Sequence, residues 1–174
     1  MMSIVLDQSE IDRSLKRISH EIIEHNHGLE SVVLLGIPTR GVILAQRIGA
    51  FLGTFDSAVP VGTLDITMFR DDLRLRPPRA LMPTQIPSGG LIGKDLILID
   101  DVLYSGRTIR AALDAIGELG RPRTVQLAVL IDRGHRELPI KADYVGKNIP
   151  TNAQESVRVQ LIEIDGIDQV EVGL

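Results

Sequence analysis

The sequence predicts an α/β fold with a mainly parallel sheet flanked by helices, and three observations carry the prediction. Helical and strand patterns alternate from one end of the 174 residues to the other, as β-α-β connections require. The clearest strand, LILID at residues 96–100, is apolar without interruption up to its acidic end, as a strand buried on both faces must be. That strand passes into a helix through a short loop of small and polar residues, and open parallel sheets bind ligands at that edge. No repeat, low-complexity stretch or linker interrupts the pattern, so residues 1–174 read as a single domain.

The elements follow in order. A helix is expected over about residues 8–26, with Asp7 and Glu10 as a capping-box start and Asn26 to Gly28 as the stop. Ile11, Leu15, Ile18 and Ile22 recur at helical spacing and give one buried stripe. A short buried strand, SVVLLG at 31–36, leads through the turn IPTRG to a helix over about 42–52. Residues 59–69 read as a longer strand. Residues 70–93, RDDLRLRPPRALMPTQIPSGGLIG, are rich in Pro, Gly and Arg, and so long a loop is expected to be a mobile lid. After LILID comes a helix over about 109–119, ended by Gly120 and Pro122, and then a second buried strand, TVQLAVLI at 124–131. From Ala142 onward the pattern is of short strands, with SVRVQLIEI at 156–164 alternating polar and apolar.

Composition narrows the function classes. Aromatics make up 3% of the chain and Trp is absent, which disfavours a nucleic-acid surface built from stacking rings. Cysteine is absent too, which removes disulfides, thiolate metal sites and cysteine nucleophiles and makes the cytoplasm the expected compartment. No signal peptide is read at the amino terminus, and the longest apolar runs are strand-sized, so no membrane partner is expected. With a net charge of −4, a polyanion must be met by a local basic patch.

The segment LILIDDVLYSGRT, residues 96–108, carries the chemistry. Asp100 and Asp101 stand at the carboxyl edge of a strand. Tyr104, Ser105, Gly106, Arg107 and Thr108 open the next helix, where backbone N–H groups and hydroxyls cradle a phosphate at the positive helix end. Gly106 lets the backbone approach closely. Carboxylates accept hydrogen bonds from vicinal ribose hydroxyls and hold the waters of a Mg²⁺ that neutralises pyrophosphate. An Asp pair capping an ordinary strand-to-helix turn explains the acids alone but not the whole array. The sequence of a Walker A loop is absent.

LILIDDVLYSGRT is similar to the signature of the type I phosphoribosyltransferases, and its Leu-Tyr-Ser-Gly-Arg-Thr variant resembles the bifunctional pyrimidine-operon regulators with uracil phosphoribosyltransferase activity. GIPTRG (36–41), LDITMFRDD (64–72) and LIDRGHRELPIKADYVGKNIPT (130–151) match that family in the same order. The resemblance implies the type I phosphoribosyltransferase fold, a parallel sheet flanked by helices with a small hood and a mobile loop. It implies transfer of phosphoribose from 5-phosphoribosyl-1-pyrophosphate to uracil, giving UMP and pyrophosphate with Mg²⁺. It also implies binding of pyrimidine-operon mRNA when UMP or UTP is bound, and a homodimer or larger homo-oligomer. A phosphoribosyltransferase for hypoxanthine or orotate, or a nucleotide-sensing RNA-binding regulator with little turnover, are the alternatives.

The same resemblance assigns residues. Thr39, Arg40 and Gly41 are expected to meet pyrophosphate, often across a cis peptide in this family. Ile97, Leu98 and Ile99 lead into Asp100 and Asp101, which take ribose hydroxyls and hydrated Mg²⁺. Val102 and Leu103 are an apolar floor or core, Tyr104 to Thr108 the 5′-phosphate cradle, and Ile109 follows in the helix. Arg70 is the chosen clamp for the leaving group among the loop arginines Arg70, Arg74, Arg76 and Arg79. Ile131, Asp132 and Arg133 are candidates for uracil, although Asp132 equally suits a turn cap. At 100° per residue, Arg13, Lys16, Arg17 and His20 fall opposite the apolar stripe. A second basic cluster runs from Arg121 to Lys147. Arg17, His20, Arg136, Lys141 and Lys147 are the expected RNA contacts. His25 and His27 read as a solvated helix end rather than a transition-metal site.

Overall fold

The computed structural model describes residues 1–71 and 82–174. Along the chain, β1 (Met2–Leu6) precedes α1 (Gln8–His25), β2 (Val32–Gly36), α2 (Arg40–Gly53) and β3 (Val61–Thr63). Then come β4 (Asp95–Leu103), α3 (Arg107–Leu119), β5 (Thr124–Asp132), β6 (Tyr144–Asn148), β7 (Ser156–Gln160), α4 (Ile162–Asp165) and β8 (Gln169–Gly173). Five strands form one parallel sheet in the order β3-β2-β4-β5-β6, with β4 at its centre. The remaining three, in the order β1-β8-β7, form a small antiparallel sheet, the hood.

Alternation within β4 explains its unbroken apolar run. Ile97 and Ile99 pack into the core shared with α1 and α2, whereas Leu96 and Leu98 pack into the core shared with α3. The α1 stripe is as expected: Ile11, Leu15, Ile18 and Ile22 are all buried. So is its start, where Asp7 and Glu10 exchange side-chain-to-backbone hydrogen bonds of 2.9 Å.

Three elements depart from the sequence reading. The strand expected over 59–69 is reduced to β3 and a 3₁₀ turn at Thr67–Phe69. The Asp65 carboxylate accepts from the Thr67 N–H at 3.0 Å and its hydroxyl at 2.7 Å, and this local turn outcompetes the ladder. The strand expected over 156–164 stops at Gln160. Asp165 and Asp168 accept from the N–H groups of Leu161 and Ile162 at 2.8 and 2.7 Å and wind the chain into α4. Finally, β1 was not foreseen, because its partner β8 lies at the other end of the chain.

Two arginines of α2 fasten the hood. Arg47 pairs with Glu163 and Asp168, and Arg40 with Asp165. Burial alone would raise the Asp168 carboxyl, but Arg47 and the Ile162 N–H hold it below the usual range. No helix among the described residues is long and apolar enough to cross a membrane.

Candidate active site

The site forms where β4 ends against α3. Strand β4 runs past its two acids to Leu103, because β5 is long enough to pair with Val102 and Leu103. The acids therefore stand inside the last stretch of the strand rather than at its end. Asp100 is only 8% exposed. Its Oδ1 accepts from the Asp101 N–H at 2.9 Å, and Asp101 Oδ1 accepts from the Val102 N–H at 2.9 Å, so both carboxylates are oriented by the backbone. Burial pushes the Asp100 carboxyl well above the ordinary carboxylate range, and the adjacent Asp101 charge adds to the shift. The Arg70 guanidinium opposes it.

Gly106 precedes α3 with a φ of +92°, a conformation that only glycine adopts without strain. The first backbone bond of α3 runs from Arg110 N–H to the Gly106 carbonyl at 3.0 Å, so the N–H groups before it point out of the helix. They open on a cleft of about 410 Å³. Asp100, Val102 and Leu103 line one part of it and Tyr104 to Ile109 another. A phosphorylated sugar fits this chemistry: acids for hydroxyls, and a helix amino terminus for phosphate.

The turn between β2 and α2 abuts the same strand end. The Ile37 N–H donates to the Ile99 carbonyl at 2.9 Å, and the peptide bond between Pro38 and Thr39 is cis. Gly41 lies so close that a Cβ there would sit 3.3 Å from the Asp100 Cα and inside the shell of the Ile99 carbonyl oxygen. The structure thus brings Thr39, Arg40 and Gly41 beside Asp100. The Arg40 side chain itself reaches the hood, with Nη2 at 2.9 Å from Asp165.

Other expected residues fall into place unequally. Arg70 lines the cleft, while Arg74, Arg76 and Arg79 and the middle of the expected lid lie outside the described residues. The side chains of Ile97, Leu98 and Ile99 are core and hold the strand rather than face the cleft. Arg107 extends from the cradle to Asp71 at 2.9 Å and Glu137 at 3.3 Å. Ile131 has a fully buried side chain, which removes that side chain as a uracil contact. Asp132 accepts from the Gly134 N–H at 3.0 Å and pairs with Arg136, the behaviour of a turn cap. Arg133 is buried under the Tyr104 ring, 4.1 Å from its centroid, and its Nη2 donates to the carbonyls of Asn152 and Glu155. Its Nε is buried without a hydrogen-bond partner among the described residues.

Sequence reasoning missed His135, Glu137, Asp71 and Ala153, which also line the cleft. His135 Nε2 lies 2.6 Å from the Thr151 carbonyl, and its ring meets Tyr104 edge-on at 6.0 Å. Three of these sit in segments that carried part of the resemblance, His135 and Glu137 in 130–151 and Asp71 in 64–72. That signal marked the stretches but not the side chains.

The two basic clusters expected for RNA meet in part. Arg13, Arg17 and Lys147 line one shallow groove of about 330 Å³ between α1 and β6. Arg17 donates to the carbonyls of Val145 and Gly146, and Lys147 to that of Val5 at 3.1 Å. His20 instead packs on Phe55 at 4.6 Å, and Lys16 lies 5.6 Å over Phe51. Lys141 is exposed three residues ahead of β6. Arg136 is a correction: its guanidinium donates to Ile140 O, Tyr104 O and Asp132, so it is an internal clasp rather than an outward cation.

Whether the acids suit Mg²⁺ follows from their chemistry. Among the described residues no cluster of three or more His, Asp or Glu is arranged to hold a metal alone. Asp100 lines the cleft, Asp101 follows it in the strand outside the cleft lining, and carboxylate oxygens of this kind suit a hydrated, hard cation that arrives with a polyphosphate.

A family model described as a phosphoribosyl transferase domain matches residues 2–162. The bifunctional protein PyrR of Streptomyces coelicolor is 62% identical over 170 residues, covering 97% of this chain and 88% of that protein. The bifunctional protein PyrR of Chloroflexus aurantiacus is 57% identical, covering 97% and 93%. Among solved structures, the hypoxanthine phosphoribosyltransferase of Trypanosoma cruzi superposes with a TM-score of 0.74 at 19% identity, covering 98% of this chain and 95% of that one.

Proposed function

The chain belongs to the phosphoribosyl transferase domain family, and from that premise we propose that it is a uracil phosphoribosyltransferase that also regulates pyrimidine genes by nucleotide-dependent binding of pyrimidine-operon mRNA. Its fold is the type I phosphoribosyltransferase fold expected from the sequence. The observation that carries the catalytic reading is the single cleft in which Asp100 faces the amino terminus of α3. The bifunctional relatives carry the regulatory half.

The reaction joins a uracil nitrogen to C1′ of phosphoribosyl pyrophosphate as the C1′–O bond to pyrophosphate breaks. Positive charge develops on the sugar, so the protein's part is orientation and electrostatics. Asp100 and Asp101 accept from the ribose hydroxyls, and their negative charge faces the developing cation. The N–H groups from Gly106 to Ile109, with the Ser105 and Thr108 hydroxyls, hold the 5′-phosphate. Asp100 and Asp101 would hold a hydrated Mg²⁺, which would supply positive charge to neutralise the pyrophosphate. The turn Thr39–Arg40–Gly41 takes the pyrophosphate, and Arg70 clamps it. For uracil, Arg133 with its unpaired Nε is the side-chain candidate, while Ile131 and Asp132 contribute through the backbone and the turn. Arg17, Lys147 and Lys141 offer charge and His20 a ring nitrogen to RNA, UMP and UTP act as effectors, and the setting is a homodimer or larger assembly in the cytoplasm.

Initial rates with labelled uracil, hypoxanthine and orotate, each with phosphoribosyl pyrophosphate and Mg²⁺, test the substrate. Uracil turnover should exceed that of the others by at least about 100-fold, because a site built to hydrogen-bond one base leaves polar groups unpaired with another. A faster rate with hypoxanthine or orotate would reassign the base.

A further inference from the structure

The hood meets α2 through three carboxylates and two arginines. Glu163 and Asp168 share Arg47, at 2.6 to 3.0 Å. These contacts converge on one guanidinium that does not line the cleft, and they serve as a fastening. The third pair differs. Asp165 receives Arg40 Nη2 at 2.9 and 3.2 Å, and Arg40 belongs to the turn beside Asp100. Asp165 is itself fixed, since its Oδ2 also accepts from the Leu161 N–H at 2.8 Å. Arg40 gives Asp165 only Nη2, and its Nε is buried without a hydrogen-bond partner among the described residues. A guanidinium has five donors in a rigid fork, so with Nη2 on the carboxylate and Nε buried, Nη1 of the 31% exposed side chain is left for phosphate oxygens.

We propose that Asp165 is a positioning residue for pyrophosphate, acting from the hood through Arg40. The proposal rests on the reading that the turn Thr39–Arg40–Gly41 takes the diphosphate. The hood then does more than cover a sheet edge: it sets the orientation of one phosphate-binding side chain before the substrate arrives, so less order is lost on binding.

Steady-state kinetics of Asp165→Asn test it, and this substitution keeps an oxygen for the Leu161 N–H. The KM for phosphoribosyl pyrophosphate and the inhibition constant of pyrophosphate should rise together, by about tenfold, the scale of one loosened charge-assisted contact. The kcat and the uracil KM should change by less than about twofold, as expected when only substrate binding is affected. Asp165→Glu should restore part of the loss, and Asp165→Asn should have no further effect in an Arg40→Lys background. Glu163→Gln, which loosens the hood without touching Arg40, should leave all constants unchanged. The proposal is overturned by an unchanged KM in Asp165→Asn, by an equal loss in Glu163→Gln, or by full additivity with Arg40→Lys. If pyrophosphate inhibits Arg40→Lys as strongly as the wild type, the turn is not the pyrophosphate site and the underlying reading fails instead.

Discussion

Asparagine at both Asp100 and Asp101 will reduce uracil transfer by on the order of 10³-fold or more, since in the proposed reaction both carboxylates stabilise charge that develops on the sugar. The fold will survive the change. Each aspartate accepts a backbone N–H through Oδ1, and an asparagine oxygen can replace it. Burial and the Asp101 charge raise the Asp100 carboxyl, so ionised Asp100 costs the folded protein stability above its ordinary titration range. Removing that charge should leave the melting temperature at neutral pH unchanged or higher. Lost activity with retained Tm separates a functional acid pair from a structural one, and full activity in the double variant would remove both acids from the mechanism.

Gly41→Ala is the second large effect. The added methyl meets the Ile99 carbonyl oxygen and the Asp100 Cα, which belong to the central strand and cannot give way. The turn must move instead. A displacement of about 1 Å costs about 100-fold in rate when it misplaces a binding group, and overpacking costs about 1–3 kcal/mol of stability. Gly117→Ala is the control: among the described residues nothing lies within 4 Å of a Cβ added there, and alanine favours the helix by about 1 kcal/mol. Activity of Gly41→Ala within a few-fold of wild type would show that the turn's approach to Asp100 does not matter.

What the sequence revealed depended on range. Periodicity located α1, β4, α3 and β5, because their buried stripes and unbroken apolar runs are local. The hood was legible only through the resemblance, since β1 pairs with a strand at the far end of the chain. Residues 59–69 misled because an Asp65 side chain, not the apolar pattern, set the local conformation. At the candidate site, LILIDDVLYSGRT marked Asp100 and the loop from Tyr104 to Thr108, which line the cleft. It did not announce His135 or Glu137, which reach the cleft from the loop after β5. Nor could charge alone tell that Arg136 donates inward while Arg13, Arg17 and Lys147 share one groove.

In the proposed function one nucleotide cleft serves both transfer and RNA control. A mobility-shift titration of the native pyrimidine-operon leader against an unrelated hairpin, with and without UMP, tests it most directly. The account predicts tighter binding of the leader, strengthened about tenfold by UMP, a coupling of ordinary allosteric size. It also predicts a salt dependence that flattens when the charges of Arg17 and Lys147 are removed. Affinity for the leader no tighter than for the hairpin, with and without UMP, would contradict it and leave the protein an enzyme alone.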